Sequence, residues 1–381
     1  MAESSLVKNF AGSSQLTQRV ECPALPIVHI ISSLNVGGLE HFVLRIAAAQ
    51  RDAGHQVTVL ALRDGPLRKQ AGDLGLPHFV LGGSRALSRA VRAASILSRL
   101  RPRIIHAHNH VTLHYALLGK RITGARTVLT LHGHGSTVPR TRWGSGWSAT
   151  DAVIAVSDSV AQAMSEVALG TRLGVIHNGI KIDPSLVHSA VVRADLGLER
   201  ERVIGTMVAR MDGRKGHDTL LRALACLKRE SLPVTILIVG DGAERANMEQ
   251  LAQDLGLDTS DVRFLGFRTD IFDLLAASDF FALPSLTEGL PLSVLEAMMH
   301  RLPTVATAVG GIPELVEHER QGLLVPPGDV PALAGAISRL VRSADERRAF
   351  GQAAYARVET MFSFEQMTRE YEGLYARLVT R

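Results

Sequence analysis

Arg210 and Lys215 flank a glycine-containing turn, Met211-Asp212-Gly213-Arg214, directly after a run of β-branched residues. Two cations and nearby backbone N–H groups can there converge on one anion. Diphosphate fits that charge and size, because a guanidinium gives a bidentate fork and an ammonium a mobile point charge. The segment matches neither GxxxxGK[ST] nor GxGxxG, which disfavours an ATPase and a conventional nicotinamide site. Glu288 and Glu296 form a second constellation inside Pro284-Ser285-Leu286-Thr287-Glu288-Gly289-Leu290-Pro291-Leu292-Ser293-Val294-Leu295-Glu296. Pro291 suits the first turn of a helix, which places Glu288 in the preceding loop and Glu296 on the helix. The N–H groups of Leu292 and Ser293 then point outward, free to meet a phosphate. An ionised carboxylate accepts two hydrogen bonds at once, so Glu288 suits sugar hydroxyls and Glu296 ribose hydroxyls. Taken singly these residues have plainer uses, since basic turns are commonly solvated and an acid near a helix start complements the macrodipole.

Histidines are a third feature: His106, His108, His110 and His114, with His132 and His134 further on. On a strand, alternation gives His106, His108 and His110 a common face, as in an HxH metal site. A zinc hydrolase needs about three protein ligands and an open position. No acidic ligand follows at a recognisable spacing, so no metal is expected.

Short apolar runs positioned between helical patterns must hold these residues. Residues 27–31, 57–62, 104–106, 127–131 and 152–156 read as buried strands, and 203–208, 234–239, 262–265, 280–283, 304–306 and 323–325 form a second series. Strands alternating with helices predict an α/β protein with two parallel sheets covered on both faces. In each half the first strand runs into a glycine loop and a helix: Asn35-Val36-Gly37-Gly38-Leu39 in one, the Arg210 to Gly216 turn in the other. Ligands of open α/β sheets bind outside the carboxyl ends of the strands. The chain therefore reads as a tail over residues 1–24, one Rossmann-like domain over 25–185, another over 186–361, and a final helix over 362–381 with Tyr371, Leu374, Tyr375 and Leu378 on one face.

The charge is uneven. The net +5 divides into +10 for residues 1–185 and −5 for the remainder. Six arginines and no acid lie between Arg85 and Arg103, on a helical pattern carrying Leu87, Val91, Ile96 and Leu100. Such a helix can dock on anionic lipid headgroups, or it can be a solvated face packed through those four apolar residues. No run approaches the ~18 apolar residues that cross a bilayer. The first 24 residues lack an apolar run resembling a signal peptide, so a cytoplasmic protein is expected, peripheral attachment to the inner face of a membrane staying open. Cys22 and Cys226 are too few and too far apart for a disulfide framework or a cysteine zinc site.

Together the E-x7-E pair, Arg210 with Lys215, Gly37-Gly38, and Ala308-Val309-Gly310-Gly311-Ile312-Pro313-Glu314 followed by Gly322-Leu323-Leu324-Val325 resemble retaining nucleotide-sugar glycosyltransferases of family GT4. The resemblance runs from about Ile27 to the C-terminus. It implies the GT-B fold: two Rossmann-like domains facing a central cleft, donor held by the second, acceptor by the first, and a last helix crossing back. It implies that Arg210 and Lys215 bind the donor diphosphate and stabilise charge as it departs, that Glu296 holds the ribose, and that Glu288 with the backbone of Gly289 and Leu290 holds the transferred sugar. Gly37 and Gly38 would approach the phosphates, Phe267 and Arg268 would line the base, His132 would touch the transferred sugar, and His108 would support it from behind. Preorganised cations can stabilise a departing diphosphate without a metal, so no cofactor is expected. The implied partners are a nucleotide-diphosphate sugar, a glycan, glycolipid or small-molecule acceptor, and an anionic membrane surface through Arg85 to Arg103, with no nucleic acid. A sugar-nucleotide epimerase or hydrolase of the same fold, or a binding subunit without activity, are the competing readings.

Overall fold

A computed structural model describes residues 23–83, 85–133, 147–165, 172–181, 190–199 and 201–380. The chain divides into two compact units, Met1–His177 with Glu365–Arg381, and Asn178–Phe364. Both are parallel α/β sheets of Rossmann-like type, as the alternation of patterns implies. The polar stretch after Pro184, His134 and the first 22 residues lie outside the described residues.

The first unit's sheet contains β1 (Pro26–Ile31), β2 (Gln56–Ala61), β3 (His78–Val80), β4 (Ile104–Ala107), β5 (Arg126–Leu131), β6 (Ala152–Ala155) and β7 (Leu173–Val175), in the order β3-β2-β1-β4-β5-β6-β7. Its helices are α1 (Gly38–Asp52), α2 (Leu67–Asp73), α3 (Ala86–Leu100), α4 (His110–Thr123) and α5 (Asp158–Ser165). The apolar runs of β1, β4, β5 and β6 are buried almost throughout, since helices cover both faces of the sheet. β3 and β7 have no counterpart in the sequence reading: each has three residues and ends the sheet, too short for a recognisable apolar run.

In the second unit, β8 (Val203–Val208), β9 (Val234–Val239), β10 (Val262–Gly266), β11 (Phe280–Leu283), β12 (Thr304–Thr307) and β13 (Gly322–Val325) run in the order β10-β9-β8-β11-β12-β13. Its helices are α6 (Ala190–Asp195), α7 (His217–Arg229), α8 (Arg245–Asp254), α9 (Ile271–Ala276), α10 (Leu292–Met299), α11 (Ile312–Leu315), α12 (Val330–Arg342) and α13 (Ala344–Met361). Ile204, Leu237, Val239 and Leu274 are buried in one cluster with Leu198, each worth roughly 1.5–3 kcal/mol of transfer free energy. β8 and β11 are neighbours although two strands intervene in sequence, so the sheet reverses its winding between them. In the first sheet the same reversal falls between β1 and β4. Ligands of such sheets collect at this switch point.

The last helix, α14 (Phe364–Val379), packs into the first unit with Tyr371, Leu374, Tyr375 and Leu378 buried. Among the described residues no helix is long and apolar enough to cross a membrane.

Two local expectations need correction. His110 is not on the strand face of His106 and His108, because Asn109 caps α4. Its Oδ1 accepts from the Thr112 N–H at 3.0 Å, and the Thr112 hydroxyl accepts from the Asn109 N–H at 3.3 Å, closing a capping box just past β4. On α3 the packed stripe is Ala93 and Leu97, not Leu87 and Val91, which remain 77% and 61% exposed. Gly119 on α4 leaves space for Leu97: a Cβ there would lie 2.8 Å from its Cδ1.

Candidate functional site

The loops after β8 and β11 start from adjacent strands, and the chain closes them on each other. The Leu286 N–H donates to the Arg214 carbonyl at 2.7 Å. Gly216, at φ +71°, sits so close to Pro284 that no side chain fits between them. This contact brings Lys215 to Glu288, residues 73 apart in sequence, with Nζ 2.6 Å from Oε1. The Ser285 hydroxyl donates to the same oxygen at 2.7 Å. Among the described residues Oε2 carries no hydrogen bond, so an otherwise buried carboxylate keeps one acceptor for a ligand. Ser285 is a site residue that the sequence reading missed. Its position at the head of the Glu288 loop was the available signal.

Arg210 lies on the same loop but is turned to solvent, 67% exposed and paired with Asp212 at 3.0 Å. Arg214 shares that carboxylate. Desolvation acts to raise the Asp212 pKa, but the bonds from Arg214 and Arg210 overcome it and hold the group down to about 2. The first unpaired N–H groups of α10 belong to Leu292 and Ser293, as expected, though Pro291 is the N-cap rather than a first-turn residue. The Gly311 N–H donates to the Gly289 carbonyl at 2.9 Å, tying the Ala308 to Glu314 run to the Glu288 loop. Leu290 is buried, its carbonyl accepting from the Asn178 amide at 3.0 Å. Glu296 is half-buried on α10. Phe267 and Arg268 follow β10, two strands from β8 in the sheet order. Phe267 is 55% exposed, as a stacking surface would be, and Arg268 pairs with Asp270 at 2.5 Å. No bond joins either of them to the Lys215–Glu288 pair among the described residues.

In the first unit Gly37 is the N-cap of α1 and Gly38 opens the helix with its backbone exposed, at the carboxyl end of β1. His108 follows β4 and His132 follows β5. Their rings are linked, His108 Nδ1 to His132 Nε2 at 3.3 Å, and Phe42 of α1 packs edge-on against His132. His108 therefore lies behind His132. Two further buried histidines join them. His29, inside β1, lies 2.8 Å from His108, and His106 stacks on His108 at 4.1 Å between ring centroids. His29, His106 and His108 bring nitrogens close enough to hold a metal ion. Each of those nitrogens instead has a partner within the protein: Gln50, Tyr375, Thr130, or another of the histidines.

Burial keeps these rings neutral. It pushes His132 down to about 3, and His29 to about 4 against the opposing Gln50 hydrogen bond. His106 and His108 fall well below the ordinary value, through burial first and neighbouring imidazoles second. The unfolded chain titrates its histidines near ~6.5, so below that pH it takes up protons that the native state refuses. The associated stability is complete above pH ~6.5 and is lost as the pH falls toward 4, by about 1.4 kcal/mol per pH unit for each such proton. Urea unfolding between pH 7 and 4 measures this slope; a flat profile would show that the rings charge in the native state.

Two parallel Rossmann-like sheets in one chain, each reversing its winding once, are the architecture of the GT-B class of sugar-nucleotide transferases. Comparison with known proteins agrees. Residues 36–184 match the family described as Glycosyltransferase Family 4, and residues 202–343 match Glycosyl transferases group 1. N-acetyl-alpha-D-glucosaminyl L-malate synthase of Bacillus anthracis is 29% identical over 304 residues, 76% of this chain and 78% of that protein. The UDP-Gal:alpha-D-GlcNAc-diphosphoundecaprenol alpha-1,3-galactosyltransferase of Escherichia coli is 33% identical over 182 residues, 46% of each chain, so this chain spans less than half of that relative. Among solved structures, Anabaena HepE in complex with UDP and glucose superposes with a TM-score of 0.81 at 25% identity, covering 91% of this chain and 98% of that one. The chain belongs to glycosyltransferase family 4 and has the GT-B fold.

Proposed function

We propose that this glycosyltransferase moves a sugar from a uridine diphosphate donor to a hydroxyl of a lipid-linked glycan, with retention at the anomeric carbon and without a metal ion. The Lys215–Glu288 pair carries the reading, because it places a cation and a sugar-accepting carboxylate at one switch point. In the proposed reaction the bond between the anomeric carbon and the phosphate oxygen breaks, and its electron pair leaves with the diphosphate. Lys215, Arg210 and the α10 N–H groups of Leu292 and Ser293 take up that charge, which is what a metal would otherwise supply. Glu288, with the backbone of Gly289 and Leu290, holds the sugar, Glu296 the ribose, and Phe267 with Arg268 the base. By the family resemblance, His132 contacts the transferred sugar, and Gly37 with Gly38 offers backbone N–H groups to the phosphates. Uridine is favoured by the UDP held in HepE, and a lipid-linked acceptor by the activity named for the Escherichia coli relative.

A thermal-shift screen of UDP-, GDP- and ADP-sugars tests the donor, since a ligand that binds only the native state raises stability by mass action. UDP-sugars should stabilise the protein most, and transfer should survive EDTA. Stabilisation by GDP- or ADP-sugars alone would reject uridine, and activity lost with EDTA but restored by a divalent cation would reject metal independence. Donor turnover that needs no acceptor would favour the epimerase or hydrolase reading.

The face of α3 supports a membrane-bound acceptor. Leu87 and Val91 stand exposed on α3, which has Arg85 as its N-cap and carries Arg89, Arg92 and Arg99 on a neighbouring face, apolar and basic groups that suit anionic headgroups. The protein should sediment with phosphatidylglycerol vesicles at low salt and less at high salt, and Leu87→Ser with Val91→Ser should weaken binding at both. Equal recovery with neutral vesicles would remove the electrostatic part of the proposal.

A further inference from the structure

His132 is the surface end of a buried hydrogen-bonded chain that begins on the last helix. Tyr375 of α14 places its hydroxyl 2.6 Å from His106 Nδ1 and 3.5 Å from Gln50 Nε2. Gln50, on α1, turns its Oε1 to His29 Nε2 at 2.7 Å. His29 Nδ1 meets His108 Nε2 at 2.8 Å, and His108 Nδ1 meets His132 Nε2 at 3.3 Å. Gln50, His29, His108 and Tyr375 are buried completely, so no water competes for these bonds.

A neutral imidazole donates through one nitrogen and accepts through the other. The direction of one bond therefore fixes the direction of the next. Gln50 Oε1 can only accept, so His29 carries its proton on Nε2 and accepts at Nδ1. His108 must then donate from Nε2 and accept at Nδ1, and His132 must donate from Nε2. At the other end, Gln50 Nε2 donates to the Tyr375 hydroxyl, which donates to His106 Nδ1, and His106 donates from Nε2 to the Thr130 hydroxyl at 2.7 Å. Within Gln50, His29, His108 and His132, reversing one member reverses the others, because a mismatched pair would bury two donors or two acceptors face to face; the Tyr375 and Thr130 hydroxyls, which can donate or accept, adjust to that direction.

We infer that Gln50 and Tyr375 are positioning residues for His132: through His29 and His108 they fix its ring as the Nε2–H tautomer and leave Nδ1 as a hydrogen-bond acceptor. Among the described residues Nδ1 of His132 has no partner. A lone pair held there can accept from a sugar or acceptor hydroxyl, whereas the opposite tautomer would present a donor. The effect on transfer rests on the proposed meeting of His132 with the sugar; the tautomer itself does not.

Two-bond 15N–1H correlation spectra of the full chain with labelled histidine test the inference, the His132 signal being assigned by its loss in His132→Gln. The native protein at pH 7.5 should show His132 as Nε2–H. Gln50→Met, which keeps the volume and removes both hydrogen-bonding groups, should give a mixture of tautomers. Tyr375→Phe, which deletes one buried oxygen, should move the signal the same way and serves if Gln50→Met does not fold. Both variants should lower kcat about tenfold with little change in the KM for donor. A native Nδ1–H tautomer, or a His132 signal unmoved in folded variants, overturns the inference. A tautomer shift with unchanged kcat supports the buried chain and instead refutes the part given to His132 in transfer.

Discussion

Lys215→Ala should lower turnover by about 10²–10³, the usual cost of removing one preorganised donor to a developing negative charge. It should also destabilise the second unit. Glu288 is only 8% exposed at its side chain, and without Lys215 its Oε1 keeps, among the described residues, the Ser285 hydroxyl as its one partner. Removing one member of a fully buried ion pair costs about 3–5 kcal/mol; with Lys215 still 23% exposed the loss here should be nearer about 1–3 kcal/mol. The two effects can be separated. In Lys215→Ala with Glu288→Gln the stranded charge is gone, so stability should recover while turnover does not. Arg210→Ala should show the same separation, because its guanidinium is exposed and, among the described residues, paired only with Asp212: slower turnover, with stability within about 0.5 kcal/mol of the native protein. Unfolding curves and single-turnover rates on the same preparations read both quantities. Near-native turnover in Lys215→Ala would refute its part in the departure of the diphosphate.

How much of this could be read from the residue order follows from what each feature depends on. Central strands such as β8, β9 and β11 have apolar residues on both faces, and their limits agree with the expected ones to the residue. β3 and β7 are marginal edge strands, and nothing in three residues distinguishes them from loop. The types of the site residues were legible because each lies in a local motif, and the family resemblance follows from the order of those motifs. Their association was not legible. Lys215 meets Glu288 only because β11 lies beside β8, and alternation of strands and helices does not determine strand order. His29 and Gln50 were hidden for a different reason. His29 interrupts an apolar strand and Gln50 an amphipathic helix, so each reads as an ordinary polar exception until the fold places them 2.7 Å apart. The exposure of Leu87 and Val91 was hidden as well, since helical spacing identifies an apolar stripe without saying what covers it.

Gly216→Ala should be among the most disruptive small substitutions in the second unit. Gly216 is the N-cap of α7 with φ +71°, a conformation that costs an L-residue about 1 kcal/mol or more. The steric term is larger. A Cβ would lie 1.9 Å from the Pro284 carbonyl oxygen and 2.8 Å from its carbon, and both are backbone atoms. They have little freedom to yield, because the next carbonyl, of Ser285, accepts from the Thr307 hydroxyl, and the Leu286 N–H is bonded to Arg214. Relief must come from parting the two loops, which breaks the Leu286–Arg214 bond and draws Lys215 away from Glu288. A loss of about 3 kcal/mol is expected, lowering Tm by about 6–12 °C in a domain of this size. A displacement near 1 Å at Lys215 should cost turnover about a hundredfold even in the fraction that folds. Gly213→Ala, in the same turn, is the control: a Cβ there meets nothing within 4 Å, so stability should hardly change. If Gly216→Ala melted with Gly213→Ala and kept its activity, the close contact of the two loops would not be what holds the lysine in place.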